Sequence, residues 1–408
     1  MAQTLSDWLE RISNLHSKEI DLTLDRSREV FNSLYPNGLD VPVVTVAGTN
    51  GKGSTVAYLD SLCRASGLKP LTFTSPHLYS YRERLTFNDE WLSEAQHIEA
   101  FNAIETAAED TELTFFEIST LSAFYWCDVL QPDVLILEVG LGGRLDATNL
   151  VDANVAVITT VDFDHQEYLG DTLEAIATEK LGVIKDSTVA ILADKTVPTQ
   201  CLLDLRCKQL IKAGVDYSFV DGQVTLDEHY ALPSQIQPES NAAAALVAFD
   251  ALFNNRLNPE INHRGNELLN LKGRFQIINE KPLTILDVAH NPQAIAHLVK
   301  HLQSKELTDI HAIIGMMHDK NIAEVFTSLS EVVCKWNFCA LDSPRAATVQ
   351  QLETIAINGG ISQKDISCYS SPIAAYEAVM PELQEDCDTL IVIGSFLTVG
   401  PIIERINN

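Results

Sequence analysis

The chain has little basic charge. Among its 408 residues there are 28 Lys and Arg against 56 Asp and Glu, which gives a formal net charge of −28. A nucleic acid or an anionic membrane is bound through a basic surface, so we expect neither as a partner. Anionic small molecules would have to be attracted by local groups such as helix N-termini, single lysines and metal ions. We expect small-molecule partners and a monomeric chain.

Cysteine pairs and long apolar runs are missing as well. The eight cysteines include no CxxC pair, and the two closest are Cys334 and Cys339, which argues against a zinc site and a disulfide framework. No apolar run is long enough to span a bilayer. The N-terminal segment MAQTLSDWLERISNLH has acidic residues and a helical apolar spacing, which predicts a surface helix and not a signal peptide. We expect a cytoplasmic protein with reduced thiols.

Apolar strand-like runs alternate with helical patterns along the chain, which is typical of parallel sheets covered by helices. A length of 408 residues exceeds the usual single core. We predict an α/β fold with two domains: a larger parallel-sheet domain over residues 1–270 and a smaller Rossmann-like domain over residues 271–408. The boundary falls in the polar stretch INHRGNELLNLKGRF, because the alternation restarts after it with LTILDVAHN.

Residues 43–55 read VVTVAGTNGKGST, an apolar run that breaks into three glycines around Lys52. Glycines let backbone N–H groups converge on anionic oxygens, and a helix N-terminus and a lysine add positive charge. Two residues separate the first glycine from the Gly-Lys pair, whereas the standard phosphate loop has four. A glycine-rich sequence is often only a turn, but this combination between a strand and a helix predicts nucleotide binding. The residues that would wrap the phosphates are Thr49, Asn50, Gly51, Lys52, Gly53 and Ser54.

Polar residues also follow other apolar runs, and ligands collect at the carboxyl ends of strands in doubly wound sheets. Ser75 in TFTSPHL could offer a hydroxyl to a metal or start a turn. Glu138 ends the run DVLILE and could bind magnesium or be a solvated acid. His165 follows NVAVITTV, although a lone histidine is more often a packed or capping residue and magnesium prefers oxygen.

Two later segments carry further candidates. Lys180 lies on a helix that we predict to be capped by Asp171, and a helical lysine normally lies on a solvated face. In the second domain, Asp287 and His290 follow the run LTILDVAH, and Asn291 is predicted to cap the helix after it.

The segments GTNGKGST, TSPHL, LTFFE, LEVGLGGRLDATN, DHQEYLG, EKLGVIK, GRFQ, DVAHNP and IGSF together resemble the folylpolyglutamate synthase family, which is related to the Mur ligases. The resemblance is greatest to bifunctional bacterial members that are also dihydrofolate synthases, and it covers nearly the whole chain. It implies a Mur-ligase-like fold. The implied reaction is the ATP-dependent ligation of L-glutamate to dihydropteroate and to the γ-carboxyl of folate glutamate tails, through an acyl phosphate. Alternatives are a monofunctional folylpolyglutamate synthase, another Mur-type ligase and a nucleotide switch without ligase chemistry.

The resemblance also implies that ATP and two Mg²⁺ are held between the two domains. It further implies roles for individual residues. The metal ligands would be Ser75, Glu138 and His165. Lys180 matches a lysine that the family carries as a carbamate, which would replace an ammonium group by an anion. Further nucleotide contacts would be Asn241, Arg274 and Asp287. The catalytic residues would be Lys52, Lys180 and His290.

The implied substrate site is made of three segments, with a further residue for the incoming glutamate. The pterin-binding residues would be Ser17, Lys18, Glu19, Ile20, Thr114, Phe115, Phe116, Glu117, Leu145, Asp146 and Ala147. The two phenylalanines could pack a flat ring, and Glu117 could accept hydrogen bonds from its amino groups, whereas composition alone indicates a helix core with a cap. Ser395, with His290, would bind glutamate. The family often has proline before the Gly-Arg pair, where this chain has Lys272.

Overall fold

The computed structural model describes residues 4–16, 21–226, 228–254, 256–307, 309–384 and 388–407. The chain forms two compact units, which consist of Met1–Pro76 with Arg82–Leu269 and of His77–Tyr81 with Asn270–Asn408. The short segment 77–81 thus belongs to the second unit, a feature that no sequence pattern indicates. No described helix is long and apolar enough to cross a membrane.

The first unit contains a large mixed sheet and a small antiparallel sheet. The strands of the large sheet are β1 (Val43–Ala47), β2 (Pro70–Phe73), β3 (Leu85–Phe87), β4 (Glu90–Trp91), β5 (Val134–Glu138), β6 (Val155–Ile158), β7 (Val189–Leu192) and β8 (Gln209–Lys212). Their order is β4-β3-β2-β5-β1-β6-β7-β8, and only β3 and β4 run antiparallel to their neighbours. The small sheet contains β9 (Ser218–Val220), β10 (Gln223–Thr225) and β11 (His229–Ala231). Strand β1 is central and buried along its whole length, as expected of a parallel strand covered on both faces.

Helices cover the large sheet and begin at identifiable caps. They are α1 (Leu5–Ser13), α2 (Asp25–Leu34), α3 (Lys52–Ala65), α4 (Glu94–Ala108), α5 (Phe115–Leu130), α6 (Gln166–Leu169), α7 (Leu173–Leu181), α8 (Glu239–Leu252) and α9 (Pro259–Leu268). Capping boxes begin α1 at Thr4, α4 at Ser93 and α5 at Thr114. In each box the cap side chain and the third helical residue satisfy each other's backbone N–H groups, which fixes where the helix starts.

The second unit is a six-stranded sheet of order β12-β13-β17-β14-β15-β16. Its strands are β12 (Gln276–Glu280), β13 (Leu283–Leu286), β14 (Ile310–Ile314), β15 (Val333–Cys339), β16 (Ile366–Tyr369) and β17 (Thr389–Ile393), and its helices are α10 (Pro292–Ser304), α11 (Ile322–Leu329), α12 (Val349–Asn358), α13 (Pro372–Val379) and α14 (Phe396–Asn407). Only β12 is antiparallel. Along β17, Ile391 and Ile393 enter one core and Leu390 and Val392 the other, because successive side chains point to opposite faces.

The α/β prediction and the predicted cap at Asn291 are confirmed. The polar stretch in which we predicted the boundary begins within α9, which packs on α3 so closely that a Cβ on Gly265 would collide with Leu62. The first unit ends just after this helix, at Leu269. One local prediction is wrong. Helix α7 is capped by Thr172 and not by Asp171, because Thr172 has the extended backbone of a cap and its hydroxyl accepts the N–H of Ala175.

Tyr58→Phe should destabilise the first unit by about 1–3 kcal/mol, because it leaves buried polar groups unpaired. The Tyr58 hydroxyl lies between α3 and α9, where it donates to Asn266 over 2.6 Å and accepts from Asn262 over 3.1 Å. The measurement is urea unfolding followed by circular dichroism. Tyr125→Phe is the matched control, because the Tyr125 hydroxyl donates to Glu99 at the surface. Its removal should lower the free energy of unfolding by less than about 0.5 kcal/mol. Equal losses in both variants would contradict the assignment.

Candidate active site

The carboxyl ends of β2, β5, β1 and β6 bring most of the first unit's predicted residues to one edge of the large sheet. Ser75 follows β2, Glu138 is the last residue of β5, and the phosphate loop follows β1. The backbone N–H of Ser75 donates to Oε2 of Glu138 over 3.3 Å. Because Glu138 is only 3% exposed, this edge holds a carboxyl group that is shielded from bulk water.

The phosphate loop packs closely against neighbouring elements. Gly51 precedes α3 in the left-handed conformation, with φ 88°. A Cβ at Gly51 would collide with the side chain of Asn241 on α8, and one at Gly48 would collide with Thr159. Asn241 is 1% exposed, and its Oδ1 accepts no hydrogen bond from the described part of the chain. Only glycine fits both positions, and the amide of Asn241 lies directly against the loop.

Backbone hydrogen bonds divide the loop into two halves. The N–H of Thr49 donates to the carbonyl of Thr160 over 2.8 Å, and the N–H of Asn50 donates to Oγ1 of Thr160 over 3.0 Å. These two amide groups are therefore engaged by the segment after β6. The first turn of α3 begins at Lys52 and contains the N–H groups that a helix leaves without intrahelical acceptors. An anion at this loop would bind these groups at the helix N-terminus.

Lys52 bends back over its own loop. Its Nζ donates to the carbonyl oxygens of Gly48 over 3.0 Å and of Thr49 over 3.3 Å. The ammonium group is thus held at the mouth of the cradle by weak neutral acceptors. A phosphate oxygen would be a stronger acceptor, because charge-assisted hydrogen bonds are roughly twice as strong as neutral ones.

Lys180 lies in the last turn of α7 and is 3% exposed. Among the residues that the structure describes, its Nζ has no hydrogen bond and no salt bridge. The pKa of Lys180 is lowered to about 7, first by burial and then by the positive charge of Lys52, while the negative charge of Asp164 opposes the shift. Removal from water disfavours the ammonium form. Near neutral pH, Lys180 is therefore in large part a neutral amine, unlike the solvated helical lysine of ordinary sequences.

The end of α7 is fixed by a contact that sequence reasoning missed. The N–H of Arg144 donates to the carbonyl of Glu179 over 2.7 Å, and its guanidinium donates to Glu179 Oε1 over 2.8 and 3.1 Å. A Cβ on Gly182 would collide with Arg144, and one on Gly143 would press on the carbonyl of Lys180. The glycines of LGGRLD thus allow the loop to lie against the helix turn that carries Lys180.

His165 precedes the short helix α6 in a left-handed conformation, with φ 52°. Its Nε2 lies 3.9 Å from Oδ1 of Asp164. No group of three or more His, Cys, Asp or Glu side chains that could hold a metal ion occurs in the described ranges. Ser75, Glu138 and His165 together supply one hydroxyl, one carboxylate and one imidazole. This donor set fits a magnesium ion that also takes phosphate oxygens and water, as Mg²⁺ at nucleotide sites usually does.

The pterin set begins with Ser17, Lys18, Glu19 and Ile20, which lie outside the described residues. Thr114 and Glu117 form the capping box of α5, as composition indicated. Oε2 of Glu117 accepts from the N–H of Thr114 over 2.8 Å and from Nε of Arg26 over 2.9 Å. Its Oε1 is buried and accepts no hydrogen bond from a described residue. Glu117 therefore caps its helix and keeps one carboxyl oxygen for another donor.

Aromatic rings and a second carboxylate lie near this cap. The guanidinium of Arg84 lies 5.1 Å from the centroid of Phe115, and Phe116 packs against Phe73 with centroids 6.0 Å apart.

Both oxygens of the buried Asp146 are engaged, since Oδ1 accepts from Thr148 and Oδ2 from the N–H of Leu141. Asp146 caps a short 3₁₀ helix, Ala147–Leu150, and Leu145 precedes it half-buried. In this conformation both carboxyl oxygens of Asp146 accept hydrogen bonds from the loop that they shape.

In the second unit, the predicted residues meet at the carboxyl ends of β13 and β17. The carboxylate of Asp287 accepts from the N–H groups of Phe275 and Ala289, each over 2.8 Å. Burial raises the pKa of Asp287, while these bonds and the charge of Arg274 lower it. The guanidinium of Arg274 lies 5.9 Å from the ring centroid of Phe396.

His290 and Ser395 lie at the same strand ends. Nδ1 of His290 is 2.8 Å from the carbonyl oxygen of Val288, which identifies Nδ1 as the protonated nitrogen in the neutral ring. Ser395 is 7% exposed, and its Oγ accepts the N–H of Leu397 at the start of α14. The unit thus presents one guanidinium, one carboxyl, one imidazole and one hydroxyl at a single sheet edge.

Known proteins match the chain over its whole length. The Mur ligase middle domain matches residues 46–237, and the Mur ligase glutamate ligase domain matches residues 273–396. A dihydrofolate synthase/folylpolyglutamate synthase of Escherichia coli K12 is 39% identical over 422 residues, which covers 100% of this chain and 96% of that protein. This chain belongs to the dihydrofolate synthase/folylpolyglutamate synthase family.

Solved structures of this family agree with the fold. FolC of Escherichia coli in complex with DHPP and ADP has a TM-score of 0.90 at 37% identity and covers 100% of this chain and 98% of that one. The Yersinia pestis bifunctional synthase with AMPPNP and a Mn ion has a TM-score of 0.91 at 35% identity. The superposition covers 100% of this chain and 99% of that chain. The predicted Mur-ligase-like fold is confirmed, and the chain is an ATP-dependent ligase of this family.

Gly51→Ala should weaken the binding of AMPPNP more than tenfold, because the new Cβ displaces either the loop or Asn241. Isothermal titration calorimetry measures the affinity. The matched control is Gly67→Ala, which has a similar left-handed φ of 81° and nothing within 4 Å of the added Cβ. Both variants should lose about 1–2 kcal/mol of stability from backbone strain, but only Gly51→Ala should lose affinity. Unchanged affinity of Gly51→Ala would contradict the placement of the nucleotide.

Proposed function

We propose that this chain ligates L-glutamate to dihydropteroate, which gives dihydrofolate, and to the γ-carboxyl of folate glutamate tails. The observation that carries this proposal is the sheet edge of the first unit, where the N-terminus of α3, the buried Glu138 and the phosphate loop lie together. A second group of candidates lies at one edge of the other sheet. The names and structures of the relatives support the same reaction.

The reaction requires activation of a carboxylate, since an oxide leaving group makes it a poor acyl donor. ATP would transfer its outer phosphoryl group to the acceptor carboxylate and form an acyl phosphate. The amine of glutamate then attacks the acyl carbon, so that the C–N bond forms, the nitrogen releases a proton to solvent, the C–O bond to phosphate breaks, and phosphate leaves. The N-terminal amides of α3 and the ammonium of Lys52 would stabilise the charge that develops on the transferring group.

We assign the magnesium ligands to Ser75, Glu138 and His165, with phosphate oxygens completing the set. When bound, the metal supplies positive charge beside the phosphates. We also assign nucleotide contacts to Asn241, Arg274 and Asp287. Asn241 is the best supported, because its Oδ1, which accepts no hydrogen bond from a described residue, lies against Gly51.

Lys180 is proposed to be a carbamate in the active protein. Its neutral amine would attack CO₂, an N–C bond would form, and the amine would release a proton to solvent, which leaves a carboxylate on nitrogen. The low pKa of Lys180 supplies the neutral amine, and the absence of a described partner leaves its Nζ available. The product would be an anion next to Lys52 that could support a second magnesium ion.

We assign the remaining candidate residues to the binding sites for the pterin and for L-glutamate. Oε1 of Glu117 would accept hydrogen bonds from the amino groups of the pterin ring, which would pack on Phe115 and Phe116. His290 and Ser395 are proposed to bind the incoming L-glutamate. The described cysteines are all free, as expected of a cytoplasmic protein, and we propose that the chain acts as a monomer.

Phosphate release tests the proposed function. ATP and L-glutamate are incubated with dihydropteroate, with tetrahydrofolate or with neither acceptor. We expect release with each acceptor and none without one. Lys52→Ala should remove about 3 to 4 kcal/mol of transition-state stabilisation and lower turnover by roughly 10²- to 10³-fold, while the circular dichroism spectrum stays unchanged. Release with tetrahydrofolate alone would favour a monofunctional enzyme, and wild-type rates in Lys52→Ala would refute the role of the loop.

The carbamate should form with a pH dependence set by the pKa of Lys180, which is about 7. The neutral amine fraction rises as the pH increases through 7, so we expect incorporation of ¹³CO₂, read as a carbamate signal by NMR, to be weak at pH 6 and strong at pH 8. Lys180→Ala should abolish the signal. Lys185→Ala is the control, since Lys185 is less buried and donates to the carbonyl of Gly182 over 2.8 Å. A signal that survives in Lys180→Ala would refute the assignment.

A further inference from the structure

Two adjacent buried threonines follow β6 and have no role in the reaction described above. Thr159 is 1% exposed and Thr160 is 3% exposed. Oγ1 of Thr159 donates to the carbonyl of Asn50 over 2.6 Å. Oγ1 of Thr160 accepts the N–H of Asn50 over 3.0 Å and lies 3.3 Å from its carbonyl oxygen. Both hydroxyls therefore converge on one residue of the phosphate loop.

These side-chain bonds add to a backbone ladder that already joins the two segments. The N–H of Thr159 donates to the carbonyl of Ala47 over 2.9 Å, and the N–H of Thr49 donates to the carbonyl of Thr160 over 2.8 Å. Oγ1 of Thr49 accepts the N–H of Asp162 over 3.0 Å. The ladder sets the register of the loop, whereas the hydroxyls fix the direction of the N–H and carbonyl groups of Asn50.

The threonine segment is itself anchored on its far side. The N–H of Val161 donates to Oγ1 of Thr196 over 2.7 Å. Thr196 is in turn held by Asp194 after β7, through its N–H at 2.8 Å and its hydroxyl at 2.5 Å. The segment is thus a fixed support, and the phosphate loop is the part that it holds.

We propose that Thr159 and Thr160 are positioning residues for nucleotide binding: their hydroxyls hold the backbone of Asn50 so that the next amide groups, from Gly51 to Ser54, face the phosphates. This inference rests on the proposed function. Because only two residues separate Gly48 from Gly51, the orientation of Asn50 sets the entry of the chain into α3. A loop fixed before the ligand arrives loses less conformational freedom on binding, which raises affinity.

Thr160→Val tests this proposal, because it keeps the branched shape and removes the hydroxyl. We expect the Kd for AMPPNP and the KM for ATP to rise at least tenfold, while the KM for dihydropteroate stays within twofold. Thr160→Ser should restore the affinity for AMPPNP. Thr159→Val is a second variant that should show the same pattern if Thr160→Val folds poorly.

The matched control is Thr188→Val. Thr188 is fully buried in the same unit, and its Oγ1 donates to the carbonyl of Ala153 over 2.8 Å and accepts the N–H of Lys185 over 3.0 Å. Its substitution should lower the melting temperature as much as Thr160→Val does and leave the Kd for AMPPNP within twofold of the parent value.

Two outcomes would overturn the positioning role. Unchanged or tighter AMPPNP binding by Thr160→Val would show that the hydroxyl does not position the loop and only competes with the nucleotide for the N–H group of Asn50. An equal loss of affinity in Thr188→Val would show a general effect of stability. A parent chain that fails to bind AMPPNP at all would instead refute the proposed function, so the two failures are distinguishable.

Discussion

The candidate site depends on the close approach of the phosphate loop to two neighbours that are distant in sequence. Gly48 lies against Thr159 and Gly51 against Asn241, with no room for a Cβ at either position. These contacts hold the loop against the segment after β6 on one side and against α8 on the other. The N-terminus of α3 therefore has a fixed position at the sheet edge, and the other groups are arranged around it.

The electrostatics of the site are local. A chain of net charge −28 repels anions at long range, yet Lys52 and the start of α3 lie at the same edge as Glu138, and the charge of Lys52 acts on the buried amine of Lys180. The environment of Lys180 follows from this arrangement. Desolvation and the charge of Lys52 lower its pKa to about 7, and a neutral amine is the form of lysine that CO₂ can modify. An unusual protonation state thus arises from burial and from one neighbouring cation.

Structural and functional roles coincide at the start of α5. Glu117 completes a capping box, which is the role that the sequence pattern predicts by itself. Only one of its carboxyl oxygens is used for this purpose, and the other is buried and accepts no hydrogen bond from the residues that the structure describes. Asp146 is different, because both of its oxygens are engaged by its own loop. Two acidic residues assigned to the same site therefore differ in what they have available for a ligand.

Local patterns were sufficient for the buried parallel strands, several helices, the glycine-rich loop between β1 and α3 and the cap at Asn291, because backbone preferences and hydrogen bonds between near neighbours decide these features. The short strands β3, β4 and β9 to β11 were not predicted. The family motifs also located the candidate residues. The pairing of Gly51 with Asn241, the engagement of Thr49 and Asn50 by the threonine segment and the assignment of residues 77–81 to the second unit required the tertiary structure. They depend on contacts between residues that lie far apart in the chain. The pKa of Lys180 belongs with them, since desolvation by the folded surroundings causes it.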